Sequence, residues 1–91
     1  MDITILEDLG FTNAEIKIYL ALLELGTSTA GPIIEKSGLQ SSVVHMTLNK
    51  LVTKGFVSFV KEGQRNHYQA TNPEHISTYI DEKKKLYEQI L

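Results

Sequence analysis

Lys36, Lys50, Lys54, Lys61 and Arg65 all fall between residues 36 and 67, where Glu62 is the only acid. Among them stand Gln40, Ser41, Ser42, His45, Met46 and Asn49. Lysine and arginine hold phosphate oxygens. Short amide, hydroxyl and imidazole side chains reach base edges, glutamine and asparagine suit adenine, and Met46 or Val43 can pack on a thymine methyl. The spacing therefore predicts one nucleic-acid surface. Gln40, Ser41, Ser42, His45, Met46 and Asn49 are its base contacts, and the five cations are its backbone or wing contacts, with Arg65 entering the minor groove or holding phosphate. The net charge of −2 hides this block. Residues 1–35 carry Lys17 against six acids, and residues 68–91 carry three lysines against four acids. Steering of a polyanion depends on where charges sit and not on their total.

Other chemistries have less support. There is no cysteine, hence no disulfide framework and no thiolate metal site. His45, His67 and His75 fall on three different elements at spacings of 22 and 8, without carboxylates at ligand spacing. No metal and no cofactor are expected. No phosphate-binding glycine loop or nucleophile elbow is present, so no catalytic residues are assigned and no enzyme is expected. No apolar run approaches the roughly 20 residues that span a bilayer. The start Met-Asp-Ile-Thr-Ile has no basic n-region. A cytoplasmic protein with no membrane partner is expected.

The cationic block needs elements that present it. Ile3 to Leu9 predicts one or two helical turns ending at Gly10. Thr12-Asn13-Ala14-Glu15 is a capping box opening a helix over about 13–25, with Ile16, Tyr19, Leu20, Leu23 and the flanking Ile18 and Leu22 at helical spacing and Gly26 as the stop. Thr27-Ser28-Thr29 offers capping hydroxyls for a helix over about Ala30 to Ser37, with Pro32 in its first turn and Gly38 as the turn residue. Gln40 or Ser41 caps the next helix. Val44, Leu48 and Leu51 face inward there, Ser42, His45, Met46, Asn49 and Thr53 face outward, and Lys54-Gly55 ends it. Phe56 to Val60 predicts a strand, Lys61 to Asn66 a turn, and His67 to Ala70 the return strand. Asn72-Pro73-Glu74 then starts a helix running to the chain end. The expected fold is mostly α with a small β-hairpin: a winged helix-turn-helix over residues 1–71 plus a long C-terminal helix over 72–91. Ninety-one residues with a 42% apolar fraction suit one globular unit of modest stability.

Several groups of residues resemble the N-terminal DNA-binding domain of TrmB-like transcriptional regulators. They are Leu9-Gly10-Phe11-Thr12, Glu15 with Tyr19-Leu20-Ala21-Leu22-Leu23 and Gly26, Thr29-Ala30, Ser37-Gly38, Val44 with Leu48 and Leu51, Lys54-Gly55-Phe56-Val57, and Tyr68 with Ala70. Much of this pattern is shared with MarR-like winged-helix proteins. The resemblance spans about residues 5–88. It implies a largely archaeal, dimeric regulator of double-stranded DNA, repressor or activator, whose relatives often carry a larger sugar-binding C-terminal domain. Nothing in this chain corresponds to that domain, so a stand-alone short member or a fragment is expected, with its effector unknown.

The C-terminal helix carries Ile76, Tyr79, Ile80, Lys83, Leu86, Tyr87 and Ile90 at alternating steps of three and four. This predicts a homodimer seam, to which residues 3–9 can contribute. Five cations per protomer let a dimer neutralise up to about 10 phosphates. The competing expectation is a protein-interaction module using Val43, Met46 and Phe59 or Val57. RNA binding is a third.

Overall fold

Thr12 and Glu15 open the central helix as their spacing predicts. The Glu15 amide donates to Thr12 Oγ1 at 3.1 Å, and the Thr12 amide donates to Glu15 Oε1 at 3.0 Å. Two amides at the helix start are thereby satisfied. The computed structural model describes residues 3–72 and 74–90, without the side chains of residues 75–77. The helix that follows the box is α2 (Asn13–Leu25), preceded by the short α1 (Ile3–Asp8). Ile16, Ile18, Tyr19, Ala21 and Leu22 of α2 are buried and form the centre of the core with Leu6 of α1.

α3 (Ala30–Ser37) and α4 (Ser41–Lys54) make the helix-turn-helix. Gly38 joins them at φ 71°, in the left-handed region that favours glycine, and its amide donates to the Ile34 carbonyl at 3.0 Å. α4 buries Val44, Leu48 and Leu51 as expected, and also Thr47. The caps differ from expectation. Thr29 and Gln40 occupy the N-cap positions, but neither side chain accepts a capping hydrogen bond. The segment before α3 serves the sheet instead. Ser28 and Tyr68 exchange main-chain hydrogen bonds of 2.8 and 2.7 Å, so Ser28 acts as a one-residue third strand.

β1 (Val57–Glu62) and β2 (Arg65–Ala70) pair antiparallel in a register running from Val57 with Ala70 to Glu62 with Arg65. The expected six-residue turn over 61–66 is only Gly63-Gln64. Lys61, Glu62, Arg65 and Asn66 are ladder residues. Their polarity reads as loop, yet Gly63 at φ 63° supplies the positive φ that lets a two-residue turn follow strand twist, so pairing continues to the tip. Val57, Phe59 and Lys61 alternate onto one face with their partners Ala70, Tyr68 and Asn66.

Phe56, fully buried just after α4, is the joint of the fold. Its ring meets Phe11 at 4.7 Å, Tyr79 at 4.9 Å and Tyr19 at 6.2 Å, all edge-on. Thr71 ties the same place together: its amide donates to the Phe56 carbonyl at 3.0 Å and its hydroxyl to the Gly55 carbonyl at 3.0 Å. α5 (Glu74–Ile90) starts beside it, where Asn72 Oδ1 accepts from the Glu74 amide at 3.0 Å. Pro73, read as the first helical residue, lies outside the described residues. After Tyr79 every described residue of α5 is exposed. The helix leaves the body, and this projection accounts for extents of 46 × 24 × 22 Å.

Candidate nucleic-acid interface

The second helix of the helix-turn-helix offers one polar face to solvent. Gln40, Ser41, Ser42, His45, Met46 and Asn49 are all exposed, Met46 at 53%. They line the start and middle of α4 because the buried stripe at 44, 47, 48 and 51 turns the opposite face outward. Val43 is half-buried and belongs to the flank of the helix, not to this face. Thr53 is exposed on it, and its hydroxyl donates back to the Asn49 carbonyl at 3.0 Å. A shallow groove of about 390 Å³ runs past Met46, Asn49, Lys50, Thr53 and Lys54.

The wing meets this helix at an open cleft of about 280 Å³. His45 lines it from α4, Thr29 and Ala30 from the start of α3, and Lys61, Gln64, Arg65, Asn66 and Tyr68 from the hairpin. The predicted base-edge residue His45 and two predicted backbone contacts thus share one concavity. Thr29 and Tyr68 belong to the cleft without having been anticipated. The Ser28–Tyr68 pairing brings them there, and that pairing joins segments 40 residues apart with no local signal. Asn66 Nδ2 donates to the Tyr68 hydroxyl at 3.3 Å, which braces the wing side of the cleft.

The five cations fall into three groups. Lys50, Lys61 and Arg65 have no ion-pair partner among the described residues. Lys36 Nζ lies 2.7 Å from Glu24 Oε2, with 40% and 67% of the two side chains exposed. A pair this exposed is worth at most about 1 kcal/mol, so a phosphate can replace Glu24 readily. Lys54 differs. Its Nζ lies 2.7 Å from Glu15 Oε2, and the Glu15 side chain is 1% exposed. It also sits 5.4 Å over the Phe11 ring. Withdrawing Lys54 towards a phosphate would strand a buried carboxylate, at a cost of several kcal/mol. Of the five, Lys54 is therefore committed to its ion pair, although 32% of its side chain is exposed. Sequence reading missed this because Glu15 already had a complete role in its capping box, and its second partner is 39 residues away.

Burial pushes the Glu15 carboxyl up, but the Lys54 hydrogen bond, the Thr12 amide and the Lys54 charge outweigh it and hold the group below its ordinary range. A depressed folded pKa adds stability above the unfolded value, and that stability is lost as pH falls through the folded value. Urea unfolding should show weaker stability at about pH 3 than at about pH 7, and Glu15→Gln should flatten part of that difference.

On α5, Tyr79 is half-buried against Phe56, and Lys83 Nζ lies 5.4 Å over the Tyr79 ring. Ile80, Leu86, Tyr87 and Ile90 are 37%, 59%, 63% and 82% exposed. The side chain of Ile76 lies outside the described residues. Among the described residues no cluster of three metal-ligating side chains occurs, and no helix is long and apolar enough to cross a membrane.

A helix, a glycine turn, an outward-facing helix and a two-stranded wing define the winged helix-turn-helix class. Residues 6–74 match the family described as "Sugar-specific transcriptional regulator TrmB", and the chain belongs to that family of regulators, which is not an enzyme family. It is 36% identical over 77 residues to the HTH-type sugar sensing transcriptional regulator TrmBL1 of Pyrococcus furiosus, covering 85% of this chain and 22% of that protein. It is 41% identical over 64 residues to the uncharacterized protein YrhO of Bacillus subtilis, covering 70% and 23%. The chain thus spans under a quarter of these curated relatives. Among solved structures it is similar to TrmBL2, described as an archaeal chromatin protein with a novel mode of DNA binding, at a TM-score of 0.76 and 23% identity, covering 89% of this chain and 32% of that one. That likeness concerns the fold.

Proposed function

We propose that this chain binds double-stranded DNA with sequence preference and regulates transcription as a homodimer. α4 enters the major groove, and the wing lies on the minor groove or backbone. One observation carries the reading: Lys61 and Arg65, without an ion-pair partner among the described residues, share a cleft with His45, directly beside the exposed polar face of α4. Cations at the rim position the duplex, and the helix face supplies donors and acceptors for base edges. Lys50 adds a backbone contact, and Lys36 does so by exchanging Glu24 for phosphate.

The dimer is supported by the uncovered stripe of α5. Ile80, Lys83, Tyr87 and Ile90 step by three, four and three, with Leu86 beside them, and Tyr79 anchors the base of the helix to its own domain. Two heptads alone make a weak seam. Ile3 and Ile5 on α1, 44% and 48% exposed, are available to enlarge it. Residues 1–71 then serve as the DNA-binding unit and 72–91 as the dimerisation element, in the compartment that holds DNA.

A random-sequence duplex pool tests the reading. Enrichment of a palindromic site, with sedimentation at twice the protomer mass, is expected; no enrichment and a monomer would refute it. Against that site, Asn49→Ala or His45→Ala should cost about 1–3 kcal/mol and relax preference at one position per half-site, while binding to scrambled duplex holds. The rival reading, a protein-interaction module, loses Val57, which is 2% exposed, and half of Val43, and is left with Met46 and with Phe59 beside the exposed Val60. A preference for structured RNA in the same assay would favour the third reading.

A further inference from the structure

Glu15 and Lys54 join the start of α2 to the last turn of α4, and nothing in DNA contact alone calls for that link. Glu15 is the most enclosed charge among the described residues, at 1% exposure, and both its oxygens are used. Oε1 accepts from the Thr12 amide and Oε2 from Lys54 Nζ. Phe11, whose ring lies under Lys54, also packs on Phe56. At about 100° per residue, Lys54 projects about 180° around α4 from His45 and about 80° from Met46, so it stands at the far edge of the groove that Met46 and Asn49 line. It lies about 60° from Leu51, at the edge of the buried stripe.

We infer that the Glu15–Lys54 pair is a positioning device that fixes the rotation of α4 about its own axis and thereby sets how sharply the chain discriminates between DNA sequences. Val44, Thr47, Leu48 and Leu51 hold α4 against the core, but apolar contact is non-directional and tolerates small rolls of a helix. A charge-assisted bond of 2.7 Å is directional, and it sits at the edge of the stripe, where it opposes rolling most effectively. A roll of about 10° moves side-chain tips about 6 Å from the axis by about 1 Å. That displacement spoils a bidentate contact to a base edge. Long lysine and arginine side chains on the wing follow a phosphate through the same shift, so non-specific binding is insensitive to it. Lys54 is a positioning residue here and Glu15 its anchor.

The inference rests on the DNA-binding reading, and the test separates the two. Glu15 lies on α2, and Gln retains the capping box, so Glu15→Gln removes the charge pair while leaving the α4 face and the wing as they are. Affinity is measured for the duplex that the wild type enriches from a random pool and for a scrambled duplex of equal length, across a salt series, at a temperature where circular dichroism shows each variant folded. The ratio of the two affinities should fall about ten-fold, roughly the loss of one well-read base pair, with the salt slope unchanged. Lys54→Gln, approaching the pair from the other side, should give the same fall, and Lys54→Arg should keep the ratio. An unchanged ratio with only a lowered melting temperature would make the pair merely structural and overturn the inference. A steeper slope and tighter scrambled binding in Glu15→Gln would reveal Lys54 as a restrained phosphate contact and overturn it equally. A wild type that enriches no sequence removes the DNA reading and this inference with it.

Discussion

Phe56→Ala is expected to lower the unfolding free energy by about 3–5 kcal/mol, the range for emptying a buried aromatic site. A domain of this size has roughly 5–14 kcal/mol in all, so a large part of its stability depends on one ring. The ring is fully buried and meets rings from the α1–α2 junction, from α2 and from α5. The α1–α2 junction and α2 are held in the core by Leu6, Ile16, Ile18 and Leu22, so they cannot close in to fill the space. The loss should also loosen α5, since Tyr79 would have no ring to meet. Phe59→Ala is the matched control. That ring is 47% exposed and 5.9 Å from Tyr68, and its loss should change stability by under about 1 kcal/mol. Urea unfolding followed by circular dichroism measures both. Equal effects at the two positions would contradict the joint.

The paired change Lys61→Ala with Arg65→Ala should produce the largest loss of DNA binding. Charge-assisted hydrogen bonds contribute about 1.5–3 kcal/mol each, so two per protomer correspond to a loss of at least about a hundred-fold per protomer, and about 10⁴-fold for a dimer. The loss should be the same for every sequence, and the plot of log affinity against log salt should become shallower by about 3.6 for a dimer. Lys54→Arg, which retains its partner, should leave that slope alone. Gel-shift or anisotropy titrations across a salt series read both quantities. A double variant that loses affinity for one sequence only would move the wing from positioning to base reading.

Much of this architecture was legible in the residues because it depends on local signals. The capping box at Thr12 and Glu15, the glycines at 26, 38 and 55, and the period of Val44, Leu48 and Leu51 each act within a few residues, and each element appears within a residue or two of its expected bounds. The hairpin turn was misread because Lys61, Glu62, Arg65 and Asn66 are polar, whereas ladder pairing is decided by backbone geometry at Gly63. Of the hydroxyls offered by Thr27-Ser28-Thr29, Thr29 occupies the N-cap position without making the side-chain bond, and Ser28 pairs its backbone with Tyr68, a long-range event. The interface itself was only half legible. Exposure of the α4 face follows from its own period, but which lysines are free depends on partners elsewhere. Lys54 and Lys50 look alike in sequence, and only the fold places a buried carboxylate beside one of them. The apolar residues of α5 were visible, but the division between Tyr79, turned to its own domain, and Ile80, Leu86, Tyr87 and Ile90, left uncovered, required the position of Phe56.

The most direct measurement is the salt dependence of wild-type binding to a random-sequence duplex. With Lys50, Lys61 and Arg65 of two protomers on phosphates, log affinity should fall against log salt with a slope of about −5, rising to about −7 where Lys36 also exchanges Glu24 for phosphate, a steep loss between about 50 and 200 mM. Absence of retention at low salt, or binding indifferent to salt, would mean that no cationic face meets the duplex.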